Sequence, residues 1–422
     1  MQKSTLCGWI VLLFLIISIR SSEAQEVWPR FRGPNGEGIS TLRGVPTEWT
    51  ESDYEWVVEL PGRGNSSPVI WGEHLFITSG KEDGTRILFC LNAFTGKTLW
   101  SDELKLDANH LHQKNSYGSG TPTTDGERVY VSEADTQHYI VRALTMDGKE
   151  VWRRDLGPFV SEHGCGHSPM IYKDLLLVTN DQKGPSSIEA LDLKTGETRW
   201  SSPRKVKSAS YATPMILHLN GQDQIIALSG ATGLAGLDPE TGRELWSSGP
   251  LPQRTVASPI FGHGLLFGTC GSGGRGAEMV VVDPSKGNNP KELVYGIRKK
   301  MMPYVPTPLA VGQYLYLWND DGTAACVDLT GDLSDNVWKK RIGGNYSGSP
   351  IIIDGRIYCI SESGDVKVID ASPTFREYKG GALNDPSYST PAVANGRVYF
   401  RSFHKLFSLR ARPDAAGAQA SF

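Results

Sequence analysis

The sequence predicts an all-β fold: an eight-bladed β-propeller of four-stranded antiparallel blades, with the last blade closed by an N-terminal strand. Three observations carry this. One unit recurs eight times, at intervals between 41 residues (Pro350 to Pro391) and 54 residues (Pro68 to Pro122). Each unit alternates short apolar runs with tight-turn residues, and the eighth stops one strand short. Composition agrees, since 47 Gly against 7 Met in 422 residues suits a turn-rich β protein, and 21% charged residues leave polar surface enough for solubility.

In chain order, residues 1–24 read as a signal peptide. Lys3 supplies positive charge, Leu6 to Ile17 is mostly apolar, and Ser22-Glu23-Ala24 offers small residues for cleavage. About a dozen apolar residues fall short of the roughly 20 needed to span hydrocarbon, so the product is expected to be exported, periplasmic or in the cell envelope, and not membrane-spanning. Cys7 stands at the start of the apolar stretch, badly placed to receive a lipid after cleavage. Residues 25–53 form an N-terminal extension, 54–411 the propeller and 412–422 a flexible C-terminal tail. The mature cysteines (Cys90, Cys165, Cys270, Cys326, Cys359) are odd in number and contain no CxxC, which argues against a disulfide framework. A formal charge of −3 with only short basic runs, Lys299-Lys300 and Arg204 to Lys207, leaves no electrostatic footprint for nucleic acid.

Each repeat opens with Ser or Thr before Pro, at Pro68, Pro122, Pro169, Pro214, Pro259, Pro308, Pro350 and Pro391. A short apolar strand follows, then a turn such as Asp125-Gly126, Asn220-Gly221, Asp354-Gly355 or Asn395-Gly396, where a two-residue hairpin loop wants residues that tolerate positive φ. A second strand and a third ending in a Leu-Asp-like pair lead to a Thr-Gly turn and a fourth strand entered through Trp. The full form stands at Leu191-Asp192, Thr195-Gly196 and Trp200, and again at Leu237-Asp238, Thr241-Gly242 and Trp246; weaker copies carry Trp100, Trp152 and Trp338. Blades five and seven have Tyr295 and Tyr378 near the Trp place. The strand missing from the eighth unit is found at Tyr54 to Leu60, with Trp56 included, so the ring closes by pairing the two ends of the chain. The six Trp are expected to dock blade on blade, and Cys90 and Cys326 to be small core residues at the place filled by Ala143, Ala190 and Gly236 elsewhere.

The Leu-Asp, Thr-Gly and Trp spacing resembles the PQQ-like repeat family, the tryptophan-docking propellers, over nearly all of the mature chain. Trp28-Pro29-Arg30-Phe31-Arg32-Gly33-Pro34 and Lys114-Asn115-Ser116-Tyr117 are similar to stretches in exported bacterial BamB-like proteins. The resemblance implies one of two roles. The first is a non-catalytic scaffold for a protein or glycan partner, as in outer-membrane biogenesis, with no cofactor and no metal. The second is a small quinoprotein dehydrogenase that uses PQQ with calcium to oxidise an alcohol or sugar, with Glu133, Asp135, Asp181 or Asp320 at the metal and base positions. The adjacent-cysteine disulfide of the alcohol dehydrogenases and any haem motif are missing, which favours the scaffold.

Ligands are expected at the axial mouth. Tyr117, Tyr211, Tyr304, Tyr346 and Tyr388 stand just ahead of the Pro positions with His167 in the third blade, and Lys114 and Arg254 stand on rim loops. Flat rings tipped with hydroxyls suit a sugar or peptide, although the simpler expectation is that the same rings plug a narrow channel. His110 with His112, His163 and His167 around Cys165, and the acidic and amide turns at Asn180-Asp181, Asn319 to Asp321 and Glu362 are possible metal ligands that also read as ordinary loop and turn residues. No Gly-x-Ser-x-Gly elbow appears, and Gly271 to Gly274 precedes no helix that would cradle phosphate.

Overall fold

The computed structural model describes residues 27–206, 208–287 and 290–412. The expected signal peptide and the tail beyond Arg412 lie outside the described residues. Among those described, eight antiparallel sheets form the ring. In blade 1 the strands run Val69–Trp71, His74–Gly80, Thr85–Asn92 and Thr98–Lys105, from the axis outward. The eighth blade joins Ala392–Ala394, Arg397–Arg401 and Lys405–Arg410 to the N-terminal strand Tyr54–Glu59. Val57 pairs with Phe407 and Glu59 with Lys405, so the two ends of the chain close the last sheet as expected. The first turns obey their chemistry: Asn220, Asp354 and Asn395, each followed by Gly, all have positive φ. Asp125 differs, because its carboxylate accepts the Glu127 and Arg128 N–H groups instead.

Ser or Thr before each Pro has a structural job. The Thr121 hydroxyl accepts the Ser67 N–H at 3.0 Å, Ser168 accepts that of Thr121, Ser258 that of Thr213, Thr307 that of Ser258, Ser349 that of Thr307 and Thr390 that of Ser349. Six hydroxyls thus satisfy a buried N–H on the preceding blade, building a belt of two arcs around the axis, blades 1 to 3 and blades 4 to 8, from donors that would otherwise be costly orphans.

The Trp residues explain the Thr-Gly turns. Trp56, Trp100, Trp152 and Trp200 lie on Gly96, Gly148, Gly196 and Gly242 of the following blade, so closely that a Cβ on Gly242 would stand 2.4 Å from the Trp200 ring. Trp100, Trp152, Trp200 and Trp338 donate their indole N–H to a backbone carbonyl of the next blade at 2.8–2.9 Å. Trp246 departs from this, bonding Gln224 of its own blade, and the Trp56 N–H has no partner. Within each blade the Trp pairs with a small third-strand residue: Cys90 with Trp100, Ala143 with Trp152, Ala190 with Trp200, Gly236 with Trp246 and Cys326 with Trp338. Tyr295 does not replace a docking Trp, for it is 56% exposed; the Thr-Gly turn of blade 5 has given way to short helical turns at Pro284–Lys286 and Pro290–Leu293.

The extension is built into the fold as a strap. Trp28 exchanges backbone hydrogen bonds with Ile70 of blade 1, the Pro29 carbonyl accepts from Thr124 of blade 2, and Arg30 donates to the Pro214 carbonyl of blade 4. Arg32 reaches the carbonyls of Pro308 (3.0 Å) and Pro350 (2.7 Å) in blades 6 and 7. Ile39–Ser40 then adds a parallel fifth strand to blade 7. The strap therefore crosses the lower end of the channel and ties five blades together. Arg32 is 1% exposed and faces only carbonyl oxygens, and burial pulls its pKa down to about 9.

All five described cysteines are free thiols, four of them buried. Reducing agent should leave the melting temperature unchanged. A lowered transition accompanied by a bridged peptide, such as Cys326 to Cys359, in non-reducing maps would refute the packing role.

Candidate functional site: the axial mouth

Above the strap the channel opens into a cavity of about 800 Å³. Its wall follows a rule set by the repeat. The residue three before each Pro lines it in all eight blades: Asn65, Ser119, Gly166, Tyr211, Val256, Val305, Ser347 and Tyr388. Deeper, the Ser and Thr of the belt contribute in seven blades, and Phe31 of the strap lies at the base. Innermost strands start in the same orientation because the two arcs of the belt fix them, so a fixed offset from Pro aims the same way in every blade.

The expected residues divide accordingly. Tyr211, Tyr304, Tyr388, Lys114 and Arg254 line the mouth. Tyr117, His167 and Tyr346 do not, and their expected positions are corrected. Tyr117 turns outward, its hydroxyl donating to the Asn109 carbonyl with the Arg86 guanidinium 4.0 Å from its ring. Tyr346 is fully buried, edge-on to Trp318 at 5.2 Å. His167 is fully buried, its Nε2–H donating to the Ser210 carbonyl at 2.7 Å. The lining tyrosines leave a cavity between them, so they do not plug the channel. Tyr211 is held by Ser161 Oγ (2.9 Å) and by donation to the Gly164 carbonyl (3.1 Å), and Tyr388 packs edge-on to Phe403.

The charged side chains of the mouth are cations. Lys114 Nζ sits 2.6 Å from Glu362, which also accepts from Ser347. Arg254 Nη1 lies 2.5 Å from His163 Nε2, and Nη2 lies 3.4 Å from Glu162. Burial and the neighbouring Arg254 charge hold His163 down at about 4, so its imidazole is neutral and Nε2 accepts. The His112 ring stacks on that of His163 at 4.7 Å. His163 was legible only as a possible metal ligand, and Phe31 only as part of the stretch that carries the family resemblance.

Calcium with a quinone would need carboxylates facing the cavity. Glu133 is held by Arg142 at 2.9 Å, Asp181 by Arg204 at 3.0 Å, Asp135 caps the Gln137 and His138 N–H groups, and Asp320 accepts from Tyr304 and Val305 N–H. None of these four faces the cavity, and no Asp or Glu is among its lining residues. Among the described residues no three His, Cys, Asp or Glu converge into a metal site. The donor set does not fit that cofactor.

Burial also pushes His167 down to about 4, whereas an unfolded His titrates near 6.5. The unfolded chain therefore binds the extra proton first as pH falls. This contribution to stability is complete above about pH 6.5 and is lost progressively towards pH 4, an effect of about 2–3 kcal/mol. Urea unfolding at pH 7 and pH 4.5 should show a smaller acid-induced loss for His167→Gln than for the natural chain; equal losses would show that His167 carries none of it.

The belt, the docked Trp and the strap-floored mouth define an eight-bladed tryptophan-docked propeller. The chain belongs to the family whose model is described as outer membrane protein assembly factor BamB, which matches residues 49–146 and 88–331. No curated protein matches it. Among solved structures it is similar to BamB from Moraxella catarrhalis (16% identity, 84% of this chain and 96% of that chain, TM-score 0.58). It is also similar to a europium-containing methanol dehydrogenase (12%, 89% and 90%, TM-score 0.64). A third similar structure is the quinohemoprotein alcohol dehydrogenase from Comamonas testosteroni (12%, 92% and 81%, TM-score 0.63). At these identities the likeness is one of fold, and it spans both functional classes.

Proposed function

We propose that this chain is an exported, non-catalytic binding propeller that holds a protein partner on the face bearing its axial mouth. One observation carries the reading: the mouth offers aromatic rings, hydroxyls and cations, while the carboxylates that chemistry on an alcohol would call for are engaged elsewhere. Rigid Tyr rings give contact area at low entropic cost, and a concave site with a few convergent polar groups is the usual form of a recognition pocket. Export is supported by Lys3 and the apolar run Leu6 to Ile17, and among the described residues no helix is long and apolar enough to cross a membrane.

The test is photo-crosslinking in the source cell. A crosslinker at Ser272 on the mouth face should give a discrete protein adduct, while one at Val337 on the outer wall should not. The identified partner should bind the purified propeller directly. Adducts only at Val337, or none at either position, would overturn the reading.

A further inference from the structure

We propose that the axial mouth is a receptor for carboxylates presented by an extended acidic segment of the partner, with Arg254 and Lys114 as the anion-holding residues. This rests on the binding reading above and names the partner's chemistry.

Arg254 is the main reason. Its side chain is only 14% exposed, yet its one carboxylate partner, Glu162, stands 3.4 Å away. One terminal nitrogen donates to a neutral imidazole, the other reaches Glu162 only at 3.4 Å, and Nε has no hydrogen-bond partner. A guanidinium removed from water normally takes a bidentate anion, because five donors in a fixed fork match two carboxylate oxygens. Glu162 cannot serve fully. It is 54% exposed and paired more closely with Lys183. Arg254 thus lines a large cavity beside Tyr304 with its Nε–H unpaired.

Lys114 provides a second cation in the same cavity. Its partner Glu362 is 18% exposed and is also bound by Ser347, so that carboxylate keeps a donor when Lys114 swings to a ligand. The pair is partly exposed and therefore weak, so the exchange is cheap. No acidic residue lines the cavity itself.

Size points to a segment. The cavity of about 800 Å³ lies high in the range of about 300–1,000 Å³ that drug-sized ligands fill, and a single small acid would leave most of it empty. Tyr211, Tyr304 and Tyr388 supply walls for the apolar parts of a chain. At Gly273 and Gly274 the rim bears no side chain and a Cβ would meet nothing within 4 Å, which leaves an open path out of the mouth towards blade 5.

Fluorescence anisotropy with labelled hexaglutamate tests this on the whole mature protein, with labelled hexalysine as control. Hexaglutamate should bind saturably and one to one, hexalysine should not, and R254Q should weaken binding more than about tenfold. K114Q should weaken it less, and K339Q on the outer wall should leave it unchanged. Variants should first be matched to the natural chain by circular dichroism and melting temperature; R254K, retaining charge without the fork, serves if R254Q misfolds and should still bind weakly. Citrate should compete only at far higher concentration. Equal binding of both peptides, no binding, or affinity indifferent to Arg254 would overturn the proposal, and citrate as potent as hexaglutamate would overturn the assignment to a segment. Should hexaglutamate fail while the Ser272 crosslink persists, this inference alone falls; if both fail, the binding reading falls with it.

Discussion

A chain lacking residues 25–60 should lose its cooperative thermal transition and elute as aggregate. The deletion removes strand Tyr54–Glu59 and leaves Lys405–Arg410 as a bare edge with unpaired N–H and C=O groups, a template for pairing with other chains. It also takes Trp28, Val45, Trp49, Tyr54 and Leu60 out of an apolar cluster that reaches into blades 1, 7 and 8. Three or more such buried side chains at about 1.5–3 kcal/mol each already approach the whole stability of about 5–15 kcal/mol of a folded domain. A milder variant separates strap from strand: Arg32→Met keeps the ring closed but strips donors from the Pro308 and Pro350 carbonyls. A cost of about 2–4 kcal/mol is expected, read by urea unfolding, because buried acceptors lose their partners. A truncated chain that stays monomeric with an unchanged transition would refute closure by the N-terminal strand.

Trp200→Ala should destabilise the ring by about 3–5 kcal/mol, the range for an emptied buried aromatic site. The Pro239 carbonyl loses its indole N–H donor at 2.9 Å, and the Gly242 turn loses the surface on which it rests. A second substitution makes the argument specific. Gly242→Ala sets a Cβ against the Trp200 ring and also strains a backbone with φ of +70°. In the Trp200→Ala background the clash is gone and only the strain remains, so Gly242→Ala should cost less there than in the natural chain. Strict additivity would show that the two residues do not meet.

The repeat made the ring legible because it is written in residues with one physical reason each: Pro after Ser or Thr, Gly under Trp, a small residue across from Trp. Closure was legible too, since Trp56 marks Tyr54 to Leu60 as a fourth strand without a blade. The strap was not. Arg30 and Arg32 bond backbone carbonyls, which carry no sequence identity, so their partners in blades 4, 6 and 7 left no pattern to read. The mouth was half legible for a reason of geometry. Tyr211 and Tyr388 stand three residues before Pro and line it, whereas Tyr117 and His167 stand five and two before and turn away; at four before, Tyr304 lines the mouth while Tyr346 is buried against Trp318. Side-chain direction changes with each step along the chain, so these positions are not equivalent. The same offset would have named Asn65, Ser119 and Ser347, hydroxyl and amide groups that an aromatic search passes over.

The most direct test of a cationic recognition mouth against a quinone site is titration of the purified protein with PQQ in the presence of calcium, followed by absorbance and by reduction of an artificial electron acceptor with alcohols and sugars. The mouth described here predicts no saturable quinone band that depends on calcium and no acceptor reduction. Stoichiometric quinone uptake with turnover, abolished by Asp181→Asn or Asp320→Asn in variants that keep the fold, would contradict it.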